Sequence, residues 1–307
     1  MLRLFNTNVD IVLKPILQAF DLYLGVRIQT MLKPTILTGT LCLFMCILLS
    51  GKIHAQPFRF LDGPPNSGDT LKVITYNIHH GADRNEKQTL EAIANFIKAS
   101  GADLVGLQEV DSLCERSDYR NQMKVLAEIT GMHYAFKRHF PYQGGAYGLG
   151  ILSRYPISDI RGDRITSKSS SDDGRKQTLV LLSALVHIPG GNLVRMATVH
   201  LALDHETRLI QAQETLNYLQ GEHPVILTGD MNAQPNDAVI DLLETRFTKT
   251  DINPHHTFPA DSPNRKIDYI MVSKPHVKNV TASTTPFVLY SDHLPLISTI
   301  VMHSGRE

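Results

Sequence analysis

Eight polar side chains stand at the ends of apolar, strand-like runs, and their types belong to one kind of chemistry. Asn77 follows VITY, Glu109 follows LVGLQ, and His200 closes MATVH. Asp230 and Asn232 follow VILTG, Asp268 lies within RKIDYI, and Asp292 and His293 precede LPLIS. Carboxylates, amides and histidines gathered at strand ends form an inventory for metal binding and proton transfer, because open α/β folds collect ligands where strands deliver side chains to one edge. Hard divalent cations such as Mg²⁺ prefer carboxylate and amide oxygens and retain several waters, so one or two carboxylates suffice. Phosphate-ester hydrolysis needs charge neutralisation on the phosphoryl oxygens, an oriented water and help for the leaving oxygen. A buried histidine held by an aspartate has a fixed tautomer and a favoured imidazolium, which suits proton transfer or phosphate binding. Asp268 and His293 are available for that pairing, but spacing alone does not bring them together.

The elements that must position these residues alternate between strand and helix. Strand-like runs fall at Leu71–Tyr76, Leu104–Leu107, Gly150–Ser153, Leu179–His187, Val194–Leu201, Val225–Thr228, Ile267–Val272 and Leu296–Met302. Glu86–Ser100 carries Leu90, Ile93, Ala94 and Ile97 at helical spacing, with Gly101 placed to end it. Asn121–Thr130, His205–Gln220 and Asp237–Thr245 also read as helices. No internal repeat is present. The expectation is one α/β domain, strands packed under helices, over residues 71–307.

Composition narrows the function class. The chain has 307 residues, 30 Lys+Arg, 30 Asp+Glu, 14 His and no Trp, with a formal net charge of zero. That excludes a basic nucleic-acid arm, a disordered chain and a fibrous one. The N-terminal 55 residues differ from the rest: Thr35–Ser50 is an apolar run after Lys33, followed by a short polar stretch ending in Ala55. A basic start, an apolar centre and a small residue before the cut describe a secretory signal peptide, expected over 31–55 behind an extension, 1–30. A retained N-terminal membrane anchor is the alternative. Residues 56–70, rich in Pro, Gly and Asp, read as a linker. Removing residues 1–55 takes away five Lys/Arg and two Asp, leaving 25 basic and 28 acidic side chains, a formal charge of −3. One cysteine, Cys114, remains, so no intramolecular disulfide is expected and the thiol reads as ordinary.

The ordered set TYNIHHG (75–81), LQEVD (107–111), GILSRYPI (150–157), TVHL (198–201), TGDMN (228–232), KIDYI (266–270) and SDHLP (291–295) resembles the endonuclease/exonuclease/phosphatase family, the superfamily of deoxyribonuclease I, over residues 70–302. Any one motif recurs by chance; seven in order do not. The resemblance implies a four-layer sandwich, two mixed β-sheets packed face to face with helices on the outside. It also implies Mg²⁺-assisted attack of water on phosphorus, with Mn²⁺ or Ca²⁺ as alternatives. Residue by residue, it implies Asn77, Glu109 and Asp292 on the metal. Asp230 orients or deprotonates the water and Asn232 holds it or a phosphoryl oxygen. By the same resemblance His293 matches the catalytic histidine, Asp268 the acid that orients it, and His200 a phosphate-contacting histidine. His79 stands where relatives carry a metal-assisting aspartate, and is kept with Arg116 and Tyr147 as a candidate phosphate contact.

Bland readings compete with these. Asp230 and Asn232 also suit a turn after a strand. His80, His255 and His256 read as solvated loop histidines, and neither His–His doublet has partners at a structural-zinc spacing. Arg208 and Gln211 read as exposed or structural. The expected function is an exported, monomeric, metal-dependent phosphoesterase with no obligate protein partner. Its substrate is a small molecule, a lipid headgroup or nucleic acid, and the acidic balance favours the first two over DNA. The alternatives are an extracellular DNase-like endonuclease and a catalytically silent binding protein on the same fold.

Overall fold

A computed structural model describes residues 70–168, 178–251 and 255–303. The expected extension, signal peptide and most of the linker lie outside the described residues. Thr70, expected to close the linker, instead opens the first strand. Among the described residues no helix is long and apolar enough to cross a membrane.

Twelve strands and four helices are described. The strands are β1 (Thr70–Asn77), β2 (Leu104–Ser112), β3 (His133–Tyr142), β4 (Gly145–Ser153), β5 (Ile157–Ile165), β6 (Leu179–His187), β7 (Leu193–His200), β8 (Val225–Asp230), β9 (Phe247–Lys249), β10 (Asp268–Ser273), β11 (Val277–Thr284) and β12 (Leu296–Met302). The helices are α1 (Leu90–Ser100), α2 (Gln122–Thr130), α3 (His205–Tyr218) and α4 (Ala238–Glu244). Two six-stranded sheets result, ordered β11-β12-β1-β2-β4-β3 and β5-β6-β7-β8-β10-β9. Each is antiparallel except for one central parallel pair, β1/β2 in the first and β7/β8 in the second. A parallel pair needs a crossover, and α1 and α3 supply the two.

Side-chain alternation builds the layers. On β1, Leu71 and Val73 enter a core shared with Met196, Ile226 and Ile270 of the opposite sheet, while Ile74 and Tyr76 face α1 and α2. A strand covered on both faces reads as a continuous apolar run rather than an alternating one, which is why LKVITY is legible. Helices α3 and α4 cover the outer face of the second sheet through Ala212, Leu216, Val239 and Leu243. The expected sandwich is therefore the observed one. At Gly106 the sheets approach so closely that a Cβ would lie 1.9 Å from the Thr228 hydroxyl.

Helix ends follow their capping residues. Asn121 accepts a hydrogen bond from the Lys124 N–H at the start of α2 and Asp204 accepts one from the Thr207 N–H at the start of α3. Gly101 and Gly131 close α1 and α2 in the left-handed region, at φ 67° and 73°. The first helix begins at Leu90 rather than Glu86, because residues 83–87 form a turn in which the Asp83 carboxylate accepts from the Asn85 and Lys87 N–H groups.

Candidate active site

The site forms where the two parallel pairs end. Asn77 is the last residue of β1, His200 of β7 and Asp230 of β8, and each continues the inward-facing phase of its strand. Register then sets the neighbours: His200 lies opposite Asp230 across β7/β8, and Asp268, the first residue of β10, lies opposite Asp230 on the other side. His293 arrives on the segment that leads into β12, whose start pairs with the end of β1.

Glu109 reaches the site by a different device. Gln108 faces inward, so ordinary alternation would turn Glu109 outward. A β-bulge breaks the ladder between Leu107 and Val110, and Glu109 takes a left-handed φ of 59°. The extra residue re-aims the side chain, so that Asn77 Nδ2 donates to Glu109 Oε1 at 3.0 Å and to Asp230 Oδ2 at 3.2 Å.

Asp230 Oδ2 is the hub. Besides Asn77, it lies 3.5 Å from His200 Nε2 and 3.7 Å from His293 Nε2. His293 Nδ1 meets Asp268 Oδ2 at 2.9 Å, so the pairing that spacing left open is made. Asn232, at φ 47°, donates its backbone N–H to Asp230 Oδ1 and its side-chain amide to the Leu201 carbonyl. The first of these bonds has the form of an Asx turn, so the bland reading of this motif describes its local geometry but does not displace its place in the cluster. The Phe258 ring packs 4.7 Å from the His293 ring.

Electrostatics separate the histidines. Burial alone would lower the His293 pKa, but Asp268, through charge and hydrogen bond, and then Asp230 and Asp292 outweigh it and raise the value to about 10. His139 is the opposite case: burial, then the His200 and Arg164 charges, bring its pKa down to about 3. Its Nδ1 accepts the Val180 N–H at 2.9 Å, which leaves the proton on Nε2. For Tyr147, burial first and the nearby Glu109 carboxylate next push the phenol well above its ordinary value, which locates it beside the cluster.

The remaining expected residues have other attachments. Arg116 grips the buried Asp111 with two bonds, Nε to Oδ2 at 2.8 Å and Nη2 to Oδ1 at 2.9 Å, and its guanidinium lies over the Tyr142 and Tyr147 rings. The Asp292 carboxylate lies 3.3 Å from the neighbouring Ser291 hydroxyl oxygen. His79 donates its backbone N–H to Asn77 Oδ1, while its ring turns to Glu86. Of the histidines expected as solvated loop residues, His80 is buried. Arg208 and Gln211 are buried and structural: Arg208 donates to the Leu203 carbonyl and Gln211 to the Thr166 carbonyl.

Sequence reasoning passed over a supporting layer. Gln108 Nε2 donates to the Thr198 hydroxyl at 2.8 Å, tying the two sheets together beneath the site. Ser291 donates to the Asn77 carbonyl at 2.7 Å and accepts the His293 N–H at 3.2 Å, fixing both residues at once. Thr75, Gln108 and Thr198 are polar residues at inward positions of buried strands, and that phase was the available signal.

The donor set fits a hard divalent cation. Two carboxylates, Glu109 and Asp230, converge on a single neutral amide, and Asp268 Oδ1 is buried with no hydrogen-bond partner among the described residues. Negative charge gathered in this way calls for a cation.

A sequence model of the endonuclease/exonuclease/phosphatase family matches residues 74–293. The chain is 30% identical over 254 residues to the uncharacterized protein YbhP of Escherichia coli (strain K12), covering 75% of this chain and 96% of that one. Among solved structures, the human nocturnin catalytic domain with bound sulfate aligns at TM-score 0.61 and 21% identity, over 76% of this chain and 95% of that one. The mannosyl-6-phosphatase Bt3783 of Bacteroides thetaiotaomicron aligns at TM-score 0.57 and 20% identity, over 75% and 99%. At such identities these two likenesses speak to the fold alone. The family model, the YbhP relative and the fold agree: the chain belongs to the endonuclease/exonuclease/phosphatase family, whose members are generally divalent-metal-dependent, and is a hydrolase of phosphoester bonds.

Proposed function

We propose that the protein is an exported, Mg²⁺-dependent phosphoesterase acting on a small phosphoester or a lipid headgroup. The observation that carries the catalytic reading is the convergence of Asn77, His200 and His293 on Asp230 Oδ2. Asn77, Glu109 and Asp292 would hold the cation, which when bound neutralises phosphoryl charge and acidifies water. Asp230 accepts the proton of the attacking water as the water oxygen bonds to phosphorus and the ester P–O bond breaks, the leaving oxygen taking a proton from solvent; Asn77 and the Asn232 N–H orient Asp230 for this. His293 keeps its proton at neutral pH, since its pKa stands near 10, and so presents a charged N–H to the phosphoryl group. Asp268 fixes that ring from behind. His200 adds a second donor, with Tyr147, Arg116 and His79 as candidates at the phosphate rim.

Export rests on the apolar run Thr35–Ser50 and its flanks. The formal charge of −3 after residue 55 favours small or lipid substrates over DNA. A panel of plasmid DNA, sphingomyelin, inositol phosphates and bis-p-nitrophenyl phosphate with Mg²⁺, Mn²⁺ or Ca²⁺ tests the reading. Preferential cleavage of plasmid DNA would transfer the protein to the nuclease alternative.

A further inference from the structure

Beside the catalytic cluster lies a second group of ligating side chains, which takes in His79, named above at the phosphate rim, whose ring turns to Glu86. His79 Nε2 is 3.7 Å from Glu86 Oε1 and His80 Nε2 is 2.9 Å from Glu86 Oε2, so each carboxylate oxygen faces one imidazole. The rings are tilted against each other with centroids 4.3 Å apart, and one donor atom from each of the three residues lies within 4.8 Å of the others. Each ring also has its Nδ1 buried without a hydrogen-bond partner among the described residues. Two adjacent imidazoles that share one carboxylate through their Nε2 atoms, each with its other nitrogen buried and unpartnered among the described residues, call for an explanation, and an ion is among the usual ones.

The backbone holds the group in place from both sides. His79, His80 and Gly81 take three successive left-handed conformations, at φ 43°, 44° and 75°, which bring two adjacent rings to one carboxylate. Glu86 sits on the turn that Asp83 organises, where the Glu86 N–H donates to the Asp83 carbonyl and Ala82 bridges to Gln88. The charge of Arg116, near His80, is held by Asp111.

We propose that His79, His80 and Glu86 bind a borderline divalent cation of the zinc class, at a site distinct from the oxygen-rich centre at Glu109 and Asp230. Two imidazoles and one carboxylate, completed by water, are a zinc donor set, whereas Mg²⁺ selects oxygen. The site ties the His79–Gly81 turn to the 83–87 turn. Because the His79 N–H donates to Asn77 Oδ1, it also stiffens the loop that orients Asn77.

Zn²⁺ titration calorimetry on the full chain, in saturating Mg²⁺, tests this independently of any activity. One equivalent of Zn²⁺ should bind. His80→Ala and Glu86→Gln should each weaken it by no less than the ~10–100-fold that losing even an outer partner of a metal ligand costs, and Glu109→Gln should leave it unchanged. Glu86 is largely exposed, so Glu86→Gln keeps the fold, which circular dichroism verifies. Absence of Mg²⁺-resistant Zn²⁺ binding, or binding indifferent to both His80→Ala and Glu86→Gln, overturns the proposal and leaves the phosphoesterase reading intact. Failure of the phosphoesterase reading would appear instead as a chain that binds Zn²⁺ and hydrolyses nothing.

Discussion

Replacing His139 by asparagine isolates one buried proton equilibrium next to the site. The ring is 1% exposed and its pKa falls from 6.5 to about 3. A histidine whose folded pKa is depressed leaves stability whole above the unfolded value and removes it as pH falls below 6.5, since the unfolded chain takes up a proton that the folded one refuses. Between about pH 8 and about pH 5 this one side chain should remove about 2 kcal/mol of stability, at ~1.36 kcal/mol per unit of pKa difference. Asparagine keeps an acceptor near the Nδ1 position for the Val180 N–H, carries no proton equilibrium, and lowers stability at every pH by leaving a small void. Urea unfolding of both proteins across that pH range separates the two effects: the void offsets the curves, and the proton changes their slope. The difference between variant and wild type should shrink by about 2 kcal/mol on acidification. Parallel pH profiles would refute the claim that the ring is held neutral.

Other consequences follow from particular contacts. Asp268→Asn removes the partner that raises the His293 pKa, so turnover should fall by ~10²–10⁴ and its alkaline limb should move to lower pH; steady-state pH profiles check both, and an unshifted limb would count against the pairing. Gly106→Ala places a methyl against Thr228 and should cost about 1–3 kcal/mol by overpacking, partly recovered with Thr228→Ala, as read by urea melts. Arg116→Ala leaves the Asp111 carboxylate buried without its two bonds, and should cost up to about 3–5 kcal/mol. Asp111→Asn with Arg116→Ala should restore much of that, and a double variant as unstable as the single one would show that the pair does not matter.

The sequence and the structure agree and differ for physical reasons. All eight strands expected from apolar runs are present, while β3, β5, β9 and β11 were not expected. Those four are the outermost strands of the two sheets. An edge strand borders solvent on one side and, as in β5 with RGD or β11 with KNVTAST, carries polar side chains that discourage pairing with another chain. No apolar run marks it.

The site was legible because chain phase and chain end coincide there: Asn77, His200 and Asp230 close the inward face of their strands, each one pleat beyond a buried threonine. Three things were hidden. The bulge that turns Glu109 inward is a backbone event with no residue signature of its own, since glutamate rarely adopts φ 59°. The partners of Arg116, Gln211 and His139 depend on how loops and strands meet, not on spacing. Glu86 has the spacing of a helix start, and that hides its position beside His79 and His80.

The central claim is that Glu109 helps to hold a divalent cation against a phosphoester whose attacking water Asp230 deprotonates. It is tested most directly by hydrolysis of bis-p-nitrophenyl phosphate by wild type and Glu109→Ala, each with excess EDTA and after restoring Mg²⁺. The account predicts wild-type turnover that EDTA abolishes and Mg²⁺ restores, and a Glu109→Ala protein slower by several orders of magnitude at unchanged far-UV circular dichroism. Hydrolysis that persists in EDTA, or that is equal in the two proteins, would contradict it.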